Sequence, residues 1–167
     1  KIISKEIFIK NKIKTPKFFV INRDFFNINE MKKKIISNKI RYPIVIKPIN
    51  EGSSLGVKVC KNNISLIKKV KKLFKKYDQL IFEEYIGGQE IQVAVINGIS
   101  LGAIELIPKR LFYDYKAKYT KEAKTKHIMP AKLSKKKYIE VLAIAKKTHE
   151  VLGCKGVTRS DFKFFQN

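Results

Sequence analysis

The sequence predicts an α+β chain whose strands pair through antiparallel hairpins. Three observations carry that reading. Short β-branched and aromatic runs such as Lys17–Ile21 and Glu90–Ile96 recur along the chain. Stretches with apolar residues three and four apart lie among them. Asn97-Gly98 sits between two strand-like runs and is the strongest hairpin signal present.

In order, residues 1–13 carry Ile2, Ile3, Ile7, Phe8 and Ile13 at helical spacings, and Thr15-Pro16 stops that pattern. Residues 17–21 read as a strand. Residues 27–39 read as a helix with Ile28, Met31, Ile35 and Ile36 on one side. Pro43 introduces the strand IVIK, which ends at Lys47-Pro48; Glu51–Gly56 is a glycine–serine turn, and residues 57–60 return as a strand. Asn63 or Ser65 is the expected cap of a helix over 65–76, facing inward through Leu66, Val70 and Leu73. A strand over 79–83, a Gly87-Gly88 turn, and strands over 90–96 and 99–106 follow. Residues 108–126 read as a long polar loop rich in tyrosine, and loops of that length commonly act in function. Ser134 caps a helix through Leu152, Gly153 stops it, and 156–164 is a last strand.

The composition excludes several classes. At 44% hydrophobic residues the chain can bury a core, and no apolar run is long enough to cross a bilayer as a helix. Lys plus Arg is 37 against 14 Asp plus Glu, a net charge of +23, which brings nucleic acid to mind. Only four of those cations are arginine, however, and the lysines are spread along the whole chain, as a solvated surface would have them. Cys60 and Cys154 form no CxxC pair, and His127 and His149 stand at no zinc-ligand spacing from them. Reduced, structural thiols in a cytoplasm are the expectation.

Four segments carry candidate chemistry. Lys47 at a strand end precedes Glu51-Gly52-Ser53-Ser54-Leu55-Gly56, a turn that can aim N–H groups and hydroxyls at phosphates. Alone it is equally a plain hairpin with solvent-facing serines. The run Phe82–Glu90 places an apolar strand before acidic residues, suited to a purine edge and a ribose diol, or simply to a strand end. Phe112–Tyr119 packs three tyrosines and two lysines into the long loop, as a lid would. Arg159 and Asp161 fall on one face of the last strand, as an ion pair or as an anion clamp beside a Mg²⁺ ligand.

In that order and spacing, KPxxEGSSxG, FEEYIxGxE, FYDYxAKY and GCxGxxRxDF resemble the D-alanine–D-alanine ligases of the ATP-grasp superfamily, over essentially the whole chain. The resemblance implies an ATP-grasp fold of two α+β subdomains enclosing ATP, residues 1–83 and 84–167, the second incomplete. It implies phosphate contacts from Lys1, Lys47 and Lys118, a glycine–serine turn with Glu51, Ser53 and Ser54 among the nucleotide-binding residues folded over the phosphates, an adenine hinge of Glu83, Glu84, Tyr85 and Ile86, and a ribose contact from Glu90. Ser53 and Tyr119 match a pair that closes the loop over substrate, Arg159 an oxyanion-stabilising arginine, and Asp161 a ligand for Mg²⁺, with Mn²⁺ as a substitute. Tyr119, rather than phenylalanine, implies the dipeptide as product rather than an ester. The partners implied are D-alanine and ATP, the remaining N- and C-terminal parts of the same enzyme, and a second copy in a homodimer, without membrane or nucleic acid. His127, where the family usually has an aromatic residue, has no role deducible from sequence, and Met129 reads as a packing substitution. Another carboxylate–amine ligase of the superfamily and a basic nucleic-acid-binding module are the competing readings, and the chain alone is expected to be inactive.

Overall fold

A computed structural model describes residues 1–108 and 125–165. The FYDYKAKY segment, with Lys118 and Tyr119, lies outside the described residues. The chain divides into two compact units. The first comprises Lys1 and Pro16–Tyr85; the second comprises Ile2–Thr15 and the described residues from Ile86 onward.

The first unit holds strands β1 (Phe18–Asn22), β2 (Ile44–Pro48), β3 (Lys58–Cys60) and β4 (Gln79–Glu84), with helices α2 (Ile28–Ser37) and α3 (Asn63–Phe74). Its antiparallel sheet runs β1-β4-β2-β3. The period of two decides which face does what. Phe19, Phe82 and Ile46 share a row, because Phe19 pairs with Phe82 and Phe82 with Ile46. That row packs with Met31, Ile35, Leu66, Val70 and Phe74 of the helices, and the Phe19 and Phe82 rings stack with centroids 4.8 Å apart. The alternate residues Val45, Lys47, Ile81 and Glu83 therefore point to the opposite face. Cys60 sits in the core as a free thiol, and burial raises its pKa against the opposing pull of Lys69.

Sequence expectation and structure differ at several ends. The cap of α3 is Asn62, one residue before Asn63 and three before Ser65; Ser65 completes a capping box by accepting from the Asn62 N–H. A single 3-10 turn at Arg23–Phe25 follows β1, too short to leave a periodic signal.

The second unit holds helix α1 (Ile2–Lys10), strands β5 (Gln89–Ile96), β6 (Ile99–Ile107), β7 (Lys126–Ile128) and β8 (Val157–Phe164), and helix α4 (Lys135–Val151). Helix α1 stops short of residue 13 because Lys12 takes a left-handed conformation at φ 57°, and the Lys147 ammonium donates to the Asn11 carbonyl at 2.7 Å. Lys5 is buried, its ammonium donating to the Thr15 hydroxyl. The sheet runs β7-β6-β5-β8, antiparallel throughout. Ile91, Val93, Val95 and Ala103 pack on Val141 and Ala145 of α4. Strand β7 takes in the end of the expected loop: three residues with two exposed polar side chains have no alternation to detect, and only pairing with β6 makes them a strand. His127 lies there, exposed and opposite Leu106. Met129 is 66% exposed, so it is not a core substitution; its methyl lies over Gly102.

Candidate functional site

The first unit gathers charge on the sheet face away from its helices. Lys47 leaves β2 one row from Glu83 of β4, and the ammonium meets the carboxylate at 2.6 Å. Both are withdrawn from solvent, with side-chain exposures of 22% and 7%. Lys1 brings a second ammonium, which donates to the Pro48 and Ile49 carbonyls at 2.9 Å and to the Glu51 carbonyl. Burial, then the neighbouring Lys47 charge, holds the Lys1 pKa below its ordinary value, opposed by Glu51 and Glu83. Two cations and two carboxylates thus sit at the foot of the glycine–serine turn.

The turn itself is held in an unusual shape. Ser53 and Ser54 both take left-handed backbone, at φ 48° and 63°. For non-glycine residues that conformation costs about 1–2 kcal/mol each, so surrounding contacts must hold it. The Leu55 N–H donates to the Gly52 carbonyl and the Val57 N–H to Ser54. Gly56, at φ 73°, is required: a Cβ there would lie 2.7 Å from the Pro48 ring. Tyr77, packed on the core, bonds its hydroxyl to the Glu51 carboxylate, and burial followed by that bond raises its pKa. Sequence reasoning missed Tyr77, since an isolated tyrosine after a helix carries no signal of a partner 26 positions earlier.

The hinge segment is partly engaged already. The Glu84 N–H donates to the Lys17 carbonyl at 3.0 Å and the Tyr85 N–H to the Pro43 carbonyl at 3.3 Å. Those two N–H groups are thus engaged within the first unit.

In the second unit, the face of the sheet opposite α4 carries polar rows. Glu90 pairs across with Lys163, Gln92 with Asp161 and Ala94 with Arg159. The Glu90 and Lys163 side chains meet at 2.5 Å. Arg159 holds Asp161 with two parallel bonds, Nε to Oδ1 at 2.8 Å and Nη2 to Oδ2 at 3.2 Å. On the other face, His149 Nδ1 meets the Thr158 hydroxyl at 2.8 Å, which ties β8 to the end of α4. Arg159 and Asp161 share one face, as alternation required, and the β5–β8 register adds Glu90 to it. Lys163 belongs to the same face and was missed, although the same period of two would have found it. Among the described residues no three His, Cys, Asp or Glu side chains gather as metal ligands. Asp161 is a single carboxylate, which suits Mg²⁺ only when nucleotide phosphates and water supply the remaining oxygens.

Comparison with known proteins identifies the family and the fold. A family model described as "D-ala D-ala ligase C-terminus" matches residues 7–167. A D-alanine--D-alanine ligase of Pelagibacter ubique (strain HTCC1062) is 52% identical over 163 residues, which is 98% of this chain and 52% of that protein. The crystal structure of D-alanine--D-alanine ligase from Bacillus anthracis superposes with a TM-score of 0.79 at 28% identity, covering 99% of this chain and 52% of that one. The same enzyme complexed with ATP gives 0.76 at 26% identity, covering 99% and 51%. The chain thus spans about half the length of the curated relatives it matches. No helix among the described residues is long and apolar enough to cross a membrane. The α+β architecture of antiparallel sheets is that of the ATP-grasp ligases, and this chain belongs to the D-alanine–D-alanine ligase C-terminal family.

Proposed function

We propose that this chain supplies the ATP-handling part of an enzyme that joins two D-alanines into D-alanyl-D-alanine, a cytoplasmic step in making a peptidoglycan precursor. The observation that carries the reading is the strained Ser53-Ser54 turn with the ammonium groups of Lys1 and Lys47 at its base. Backbone held in a costly shape beside fixed positive charge is what a polyphosphate requires. In the first unit, Lys1, Lys47 and the turn would take the phosphates, with Glu51 bracing the turn, and Glu83, Glu84, Tyr85 and Ile86 the adenine. In the second, Glu90 would take the ribose and Arg159 the developing oxyanion. Lys118 and Tyr119 would close over the reacting groups. Asp161 would hold Mg²⁺, or Mn²⁺ in its place, which would neutralise phosphate charge.

The chemistry fits residues that carry charge but include no nucleophile. A carboxylate oxygen of one D-alanine forms a bond to the γ-phosphorus as the bond to the β-phosphate oxygen breaks, releasing ADP. The amine of a second D-alanine attacks the acyl carbon, phosphate leaves, and the amine proton is lost. Cations stabilise the transferring phosphoryl group and exclusion of water protects the acyl phosphate.

The test is calorimetric titration of MgATP at raised salt, which screens the loose attraction of a +23 chain for any triphosphate. Saturable binding that prefers ATP over GTP is expected; binding indifferent to the base would refute the reading. Asp161→Asn sharpens it. The Arg159–Asp161 pair is about half exposed, at 57% and 45%, and contributes under about 1 kcal/mol to stability. The variant should melt close to the parent, while the gain in ATP affinity on adding Mg²⁺ shrinks by about tenfold. An unchanged gain would remove Asp161 from the metal site.

A further inference from the structure

Lys163 has no part in the site as read from sequence, yet its ammonium meets Oε1 of Glu90 at 2.5 Å. The two residues are direct partners in the β5–β8 ladder, which holds their Cβ atoms about 5 Å apart on one face. Glu90 is withdrawn from solvent, with 17% of its side chain exposed against 30% for Lys163. Along β8, Arg159, Asp161 and Lys163 occupy alternate positions of one face, so their charges run plus, minus, plus at about 6.5 Å intervals.

We infer that Lys163 is a positioning residue for the ribose of the bound nucleotide: its ammonium holds Oε1 of Glu90 and leaves Oε2 turned to accept from the ribose hydroxyls. The inference rests on the ATP-binding reading above and adds the element that makes Glu90 selective. Hydrogen bonds to an ionised acceptor are roughly twice as strong as those between neutral groups. A site built around such an acceptor penalises a ligand lacking the hydroxyl, because Oε2 of the largely withdrawn carboxylate then lacks that donor. Without Lys163, the carboxylate loses its anchor and swings toward solvent, and the penalty falls.

The experiment compares MgATP, 2′-deoxyATP and 3′-deoxyATP by calorimetry at raised salt on the 167-residue chain, with Lys163→Met, Lys163→Gln and Lys163→Arg. The parent should favour ATP over at least one deoxy analogue by about tenfold, the worth of one charge-assisted bond. Lys163→Met should reduce that preference below about threefold, and Lys163→Arg should keep most of it. A purely structural lysine would change all three affinities together and leave their ratio intact. Lys163→Gln also removes the charge and serves the same comparison if the methionine variant does not fold. A preference that survives loss of the ammonium, or a parent without one, overturns the inference and leaves ATP binding standing. A parent that binds no adenine nucleotide overturns the ATP reading and this inference with it.

Discussion

Lys47→Met should lower the stability of the first unit by about 2–3 kcal/mol and abolish measurable ATP binding. The two effects have separate origins. Stability falls because Glu83, 7% exposed, loses the ammonium 2.6 Å away and remains as a charge in a largely buried position. Breaking one partner of a fully buried pair costs about 3–5 kcal/mol, and the 22% exposure of Lys47 moderates that figure. For a chain of this size the melting point drops by roughly 5–10 °C. Binding is lost because the base of the turn then keeps only one of its two ammonium groups, that of Lys1, to meet the charge of a polyphosphate. The double variant Lys47→Met/Glu83→Leu separates the causes. Replacing both charges with apolar groups leaves neither charge in this largely buried position, so most of the lost stability should return while ATP affinity stays absent. Calorimetry and thermal melts on the three proteins distinguish these outcomes. If the single variant still binds ATP, Lys47 does not contact the phosphates; if the double variant is no more stable than the single, the pair does not contribute as its geometry indicates.

Much of this site was legible in the sequence, for a reason that particular residues make plain. Strand alternation is a strong local signal, so placing Arg159 and Asp161 on one face needed only their spacing. The same holds for Lys47, which ends an apolar run that alternates Ile44 and Ile46 into the core. The signal fails where a contact is set by pairing of distant strands or by a turn. The bond of Tyr77 to Glu51 depends on α3 returning the chain to the foot of the turn. The engagement of the Glu84 and Tyr85 N–H groups depends on Lys17 and Pro43, which no local pattern links to them. Strand β7 exists only through its ladder to β6. The residues that hold a site in shape were thus harder to find than the residues expected to touch a ligand.

Gly88 illustrates the point with the second large effect. In sequence it is half of a Gly87-Gly88 turn, and either glycine could serve the bend. The structure distinguishes them: Gly88 has φ 88°, and a Cβ on it would stand 2.1 Å from the carbonyl oxygen of Phe164 and 2.8 Å from the carbon. These are backbone atoms at the end of β8, where Gln89 pairs with Phe164, so no side chain can rotate away. Gly88→Ala therefore forces the β5–β8 ladder apart from its end. The cost combines left-handed backbone, about 1–2 kcal/mol, with loss of the last rungs, for a total of roughly 3–5 kcal/mol. The next rung is Glu90 with Lys163, and Gln92 with Asp161 lies further along the ladder. Separation at Gly88 thus reaches Glu90 before it reaches Asp161. Amide exchange should quicken at β5 and β8 in Gly88→Ala while α3 and β4 of the first unit keep their protection. ATP affinity should fall through loss of ribose selectivity before Mg²⁺ dependence is affected. Gly98→Ala is the control: that glycine also has positive φ, at 79°, but a Cβ there meets nothing within 4 Å. It should cost about 1–2 kcal/mol from backbone strain alone. Equal losses in the two variants would mean that the approach of Phe164 to Gly88 is not what holds the end of this sheet.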